Sequence, residues 1–341
     1  MSLVLDSLSK RFGTTQALDG INFTVEPGQV FGFLGANGAG KTTTMRIVLD
    51  ILRPDSGTVT WHSRPAHELP RRTWGYLPEE RGLYPRMKVL DQLVFFAALY
   101  GVPTVEATRR VREWLARFRI PEYADRRAEE LSRGNQQKIQ FIAAILHDPD
   151  VLLMDEPFVG LDPVNVALLK EAFLEMRDLG KTLVLSTHQM EMVEELCESI
   201  VIIDRGRIVV GGPVGDVKRA SGRRVVRLGV TGDPALAWLA DLDGVRVIRS
   251  GRDYTELHVE AGRDPESILR AVLARGEHVN RFEIADPSIE QIFIERVGVV
   301  PTEETTLAAV PGHGTSRPAP TGEAAPDEPA QRHESATPEE R

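Results

Sequence analysis

The stretch VFGFLGANGAGKTTTMRIV, Val30–Val48, decides how the rest of the chain is read. It opens on a short apolar run, the length of a buried strand. Its centre, Gly35-Ala-Asn-Gly-Ala-Gly-Lys41-Thr42, has the spacing GxxxxGK[ST]. Beyond it, Met45, Val48, Leu49 and Leu52 recur at helical spacing. Glycines between a strand and a helix let backbone N–H groups turn inward around phosphate oxygens, with the positive helix end behind them. Gly35, Asn37, Gly38, Gly40, Lys41, Thr42 and Thr43 are therefore candidate phosphate-binding residues. Lys41 is expected to reach the β- and γ-phosphates, and the Thr42 hydroxyl to hold Mg²⁺.

A second element fits the first. VLLMDEP, Val151–Pro157, is an apolar strand with two carboxylates at its carboxyl end, where open α/β sheets bind ligands. Asp155 is expected to help hold Mg²⁺, and Glu156 to orient and polarise an attacking water. Alone, such a pair reads as a solvated loop; beside a phosphate loop it reads as catalytic. His188 ends another strand, LVLSTH, and faces the same edge, where it can bond a γ-phosphate or the water.

The chain changes character along its length. Strands and turns lead to Thr43 and beyond. From Val89 to His147 the pattern is helical, with VLDQLVFFAALYGV and VEATRRVREWLARFRI broken by Gly101 and Pro103. Strand signals return at VLLMDEP, KTLVLSTH and SIVIIDRGRIVVGG (Ser199–Gly212). Asp162 is a good N-cap with Pro163 in the first turn after it. Alternating strands and helices predict an α/β fold over residues 1–220, a mainly parallel sheet with an antiparallel subdomain and a helical insertion at about 89–147. A small α+β unit is expected over 223–300, and an unstructured Pro-rich tail over 301–341.

Bulk composition narrows the function. Charged residues are 27% and the net charge is −9. The tail carries eight carboxylates against three arginines. That balance argues against a nucleic-acid binder working through a broad basic surface. One cysteine, Cys197, permits no intrachain disulfide, fits a reducing compartment, and reads as a small buried apolar residue. The apolar stretches fall short of the ~18 residues a membrane span needs, so any membrane span must come from another chain.

One motif is left over. LSRGNQQK, Leu131–Lys138, is a polar cluster followed at once by the apolar run IQFIAAIL. Together with the Gly-rich loop, VLLMDEP, GLD and His188, in that order over residues 2–220, it resembles the ATP-binding-cassette (ABC) ATPases. The resemblance implies a head-to-tail dimer of two cassettes, or a paired cassette, with two ATPs between them. It implies that Ser132 and Gly134 cap the γ-phosphate of the partner's ATP, that Asp162 links the two sites, and that Phe12 stacks on the adenine. The chain departs from the family pattern at two places: Arg133 and Asn135 stand in an LSGGQ-type segment, and Glu79 stands where Gln is common. Glu79 is expected near the Mg²⁺. GYLPEERGLYPRMKVLDQL and the extra C-terminal unit look similar to cassettes of bacterial exporters. The implied protein is an ATPase subunit that drives a separate membrane permease from the cytoplasmic face of the plasma membrane.

The alternative is a soluble single-cassette ABC ATPase acting on a ribosome or nucleic-acid complex. Ribosome-associated members usually carry two cassettes in one chain. Repair members insert a long coiled coil between loop and signature, whereas Leu131 follows Thr42 here by only 89 positions. A small-molecule kinase would have no need of the signature segment or of a base such as Glu156.

Overall fold

The computed structural model describes residues 2–80, 82–231, 237–260 and 262–298. The tail expected over 301–341 lies outside the described residues. The central sheet contains β3 (Val30–Leu34), β6 (Trp74–Leu77), β7 (Val151–Asp155), β8 (Thr182–Thr187), β9 (Ser199–Asp204) and β10 (Arg207–Pro213). Its order is β10-β9-β3-β8-β7-β6, parallel except for β10. A second sheet, antiparallel throughout, pairs β1 (Leu3–Phe12), β2 (Thr15–Val25), β4 (Ser56–Trp61) and β5 (Arg64–Pro65) in the order β2-β1-β4-β5.

Side-chain alternation along the central strands explains the layering. Successive residues on a strand point to opposite faces. Val151 and Leu153 join the core shared with β1, β2 and the helix α1 (Lys41–Val48). Leu152 and Met154 join the opposite core. That core also holds α2 (Val89–Leu99), α3 (Thr104–Arg117), α4 (Arg133–Ile145), α5 (Pro163–Asp178) and α6 (Met190–Leu196). Leu183 and Leu185 of β8 follow the same rule against Val184. Burial on both faces is why these strands read as continuous apolar runs.

Two local readings are corrected. Ser199–Gly212 is not one strand but the hairpin β9–β10, turned at Arg205 and Gly206 with φ of 46° and 78°. Positive φ at both central residues suits the twist of a tight hairpin. Helix α1 stops at Val48, and Asp50 at φ 53° turns the chain, so Leu52 lies outside the helix.

After α7 (Val214–Ala220) the chain builds a third sheet. It comprises β11 (Arg224–Val230), β12 (Val245–Ser250), β13 (Thr255–Val259) and β14 (Val279–Ala285), in the order β12-β13-β11-β14. Helix α8 (Glu266–Ala274) covers it through Ile268 and Val272, in a core of its own with Val226, Leu228 and Leu257. The last described helix is α9 (Ile289–Val297).

Candidate functional site

The carboxyl ends of β3, β7 and β8 meet at one edge. Register sets this: Leu34 lies beside Thr187, and Asp155 beside Ser186. The loop from Gly35 to Gly40 crosses that edge and turns into α1. Two of its glycines are required by contacts. A Cβ on Gly35 would lie 2.6 Å from the Ile203 carbonyl oxygen, and one on Gly40 would lie 2.8 Å from the Ala17 carbonyl oxygen. Gly40 also has φ 116°. Gly38, at φ 79°, needs the left-handed region although nothing crowds it.

A cavity of ≈ 320 Å³ lies over the loop. Asn37, Gly38, Gly40, Lys41, Thr42 and Thr43 line it together with Glu79, Asp155 and Glu156. Lys41 is buried, and its ammonium donates to the Gly35 carbonyl at 2.7 Å. Burial lowers its pKa from 10.5, while Glu156, Asp155 and Glu79 push it back up. The site thus holds a cation with three carboxylates around it. In that pose the Lys41 ammonium closes on the carbonyls of its own loop.

Asp155 ties the loop to the sheet. The Thr42 hydroxyl donates to its Oδ2 at 2.7 Å, and the Ser186 hydroxyl to its Oδ1 at 2.8 Å. Glu156 is buried, with φ 50°. Such a conformation in a non-glycine residue costs roughly 1–3 kcal/mol and marks functional sites. Its N–H donates to the Ser186 carbonyl at 2.8 Å. One carboxylate oxygen meets His188 Nδ1 at 2.7 Å; the other accepts from the Thr187 hydroxyl at 2.9 Å.

Among the described residues no three His, Cys, Asp or Glu side chains converge into a ready metal cage. The donors present are a hydroxyl (Thr42) and carboxylates (Asp155, Glu79), all oxygen. This set fits Mg²⁺, which binds through one or two carboxylates and takes its remaining ligands from phosphates and water.

The other expected residues lie elsewhere. Phe12 ends β1 and is exposed, with Lys10 Nζ 5.7 Å from its ring centroid. Ser132 caps α4, its hydroxyl accepting from Asn135 N–H at 3.3 Å. Asp162 caps α5, accepting from the N–H groups of Val164 and Asn165 at 3.0 Å. Asn165 bonds the Asp162 carboxylate and overlies Gly134, where a Cβ would lie 2.6 Å from its Nδ2. Ser132, Gly134 and Asp162 thus sit at the starts of α4 and α5 and do not line the cavity over the loop. His188 touches Glu156 but lines a neighbouring cleft with Gln189 and Glu290. Sequence reading missed Ser186 and Thr187. Their only signal is hydroxyls at the end of an apolar strand, and the partners become visible only through strand register.

Residues 18–159 match the ABC transporter family. Residues 212–297 match the C-terminal domain of ATP-binding proteins of the DrrA1-3-like type. The chain is 45% identical over 298 residues to the uncharacterized ABC transporter ATP-binding protein YhaQ of Bacillus subtilis (strain 168), covering 87% of this chain and 99% of that protein. It is 35% identical over 306 residues to Nod factor export ATP-binding protein I of Ralstonia nicotianae, covering 87% and 94%. A solved ATP-binding subunit of an ABC transporter superposes with a TM-score of 0.61 at 31% identity, covering 65% of this chain and 94% of that one. The loop, the paired carboxylates and these likenesses agree: the chain belongs to the ABC transporter family, as an ATP-binding cassette that hydrolyses ATP to power transport.

Proposed function

We propose that this cassette is the motor of an exporter, closing as a dimer on two ATPs to drive a separate membrane permease at the cytoplasmic face of the plasma membrane. The observation that carries the motor reading is the Thr42–Asp155 contact, which joins phosphate loop and strand end at one point beside Glu156. The export reading draws on the Nod factor export relative, similar over nearly its whole length. Among the described residues no helix is long and apolar enough to cross a membrane, and in this reading the permease supplies the span. In this reading residues 1–220 are the cassette and 223–300 an accessory unit, whose last helix, α9, buries its apolar face in the cassette core.

Lys41 leaves the Gly35 carbonyl for the β- and γ-phosphates, and the loop N–H groups wrap the chain of phosphates. Thr42 and Asp155, with Glu79 beside them, would hold Mg²⁺, which would supply positive charge against the phosphates. Glu156 orients the attacking water and takes its proton. His188 turns from Glu156 toward the γ-phosphate, freeing one carboxylate oxygen for that water. Phe12, exposed at the end of β1, stacks on the adenine. Ser132 spends a lone pair on Asn135 N–H, which leaves its proton for the γ-phosphate on the partner's loop. Gly134 lets the backbone approach, and Asp162 connects the two sites.

Glu156→Gln should trap an ATP-bound dimer. Size-exclusion chromatography with ATP and a phosphate-release assay test this together. A variant that stays monomeric and hydrolyses ATP at the parental rate defeats the reading. For the export half, co-purified membrane subunit should stimulate the ATPase, and energised inside-out vesicles should accumulate cargo.

A further inference from the structure

We propose that Thr187 is the positioning residue for the base, holding Glu156 in place while His188 is turned to the substrate. This rests on the reading of Glu156 and His188 given above. Thr187 ends β8 and is 1% exposed. Its Oγ1 lies 2.9 Å from Glu156 Oε2 and 3.0 Å from Gln189 N. A hydroxyl has one proton, and the backbone N–H of Gln189 can only donate. Oγ1 therefore accepts from Gln189, and its proton points at the carboxylate. The direction of the bond is fixed by the main chain.

The two partners of Glu156 differ in freedom. The His188 side chain is 53% exposed, whereas Thr187 is locked in the central sheet. When His188 leaves, Thr187 Oγ1 is, among the described residues, the side-chain donor that remains on the carboxylate. Glu156 also sits at φ 50°, a strained backbone conformation that persists only where the surrounding contacts hold it. A base misplaced by about 1 Å loses up to ~100-fold in rate.

Thr187→Val keeps the volume and branching and removes the hydroxyl. In the full chain, kcat for ATP should fall roughly 10–100-fold. KM for ATP and the ATP-induced thermal shift should stay near parental values, because the phosphate loop is untouched. Thr187→Ser should restore most of kcat. In a Glu156→Gln background, Thr187→Val should add no further loss, since the two residues act as a unit. Parental kcat in Thr187→Val, with Glu156→Gln inactive, overturns the role of Thr187 alone. An active Glu156→Gln overturns the base assignment and this inference with it. If Thr187→Val does not fold, Thr187→Ser decides: failure to keep kcat well above that of Thr187→Ala overturns the proposal.

Discussion

His147 shows what a single buried side chain does to the acid limit of this fold. Its ring stacks on Tyr100 with centroids 3.9 Å apart, and Nε2 lies 3.0 Å from the Trp74 carbonyl. A carbonyl only accepts, so Nε2 carries the proton and Nδ1 does not. Nδ1 is buried and unpartnered among the described residues. Burial lowers the pKa from 6.5; the Trp74 carbonyl and Asp148 oppose that, and Lys181 adds to it. Below pH 6.5 the unfolded chain therefore binds a proton that the native ring takes up only at lower pH. Stability falls with pH through that window. His147→Gln retains an N–H donor and should flatten the fall of the thermal midpoint below pH 6.5; an unchanged slope refutes the assignment. Glu79 offers a second test at this scale. It lines the cavity with Asp155, and Glu79→Gln removes an anionic oxygen from a site suited to a hard cation. The Mg²⁺ concentration for half-maximal ATPase should rise several-fold. If rate and Mg²⁺ dependence stay as they were, Glu79 stands outside the metal shell.

The starts of α4 and α5 form a unit that no single motif reveals. Asp162 caps α5 and holds Asn165, whose side chain covers Gly134 on α4. A methyl group at position 134 meets the far end of Asn165, a side chain that can swing aside at small cost. Gly134→Ala should therefore fold with a nearly parental midpoint, yet fail to form the ATP-bound dimer in the Glu156→Gln background. Adding Asn165→Ala relieves the clash within the chain. Recovery of the dimer in that double variant would show that Gly134 serves this packing rather than the partner's phosphate. The elements behind this site were legible where one face or one loop carries the signal. The Gly35–Thr42 spacing, the apolar run before Asp155 and the cap at Asp162 are all local. The antiparallel partners β1, β4 and β5 were not delimited, because half-exposed strands with bulges keep no clean alternation; β1 slips register between Leu5 and Leu8. The Ser186–Asp155 and Thr187–Glu156 bonds were illegible for another reason. They join residues 31 apart on neighbouring strands, and periodicity carries no information about register.

Across the whole described chain, the C-terminal segment divides its loyalties. Sequence continuity groups α9 with the third sheet, but its apolar face packs elsewhere. Ile289, Ile292 and Phe293 are buried in the cassette core with Val193 and Leu196 of α6 and Val217 of α7. The third sheet closes a separate core over Leu228, Leu257 and Ile268. Glu194 on α6 fastens the junction, accepting from Ile289 N–H and, at 2.7 Å, from Lys218 Nζ. A capping box of Ser288 and Gln291 fixes where α9 begins. Helix α6 starts two residues after His188, so α9 backs the element that carries His188 into the site. This arrangement predicts that α9 is part of the cassette's stability and not a free appendage. Phe293→Ala should lower unfolding free energy by about 3 kcal/mol, the usual cost of emptying an aromatic core site. Ile294, on the exposed side of the same helix, supplies the control: Ile294→Ala should stay within about 0.5 kcal/mol of the parent. Denaturant unfolding monitored by a probe in the cassette reads both variants. If Phe293→Ala leaves the cassette transition where Ile294→Ala does, α9 rests on the cassette without supporting it, and truncating the chain before Ser288 would cost the motor nothing.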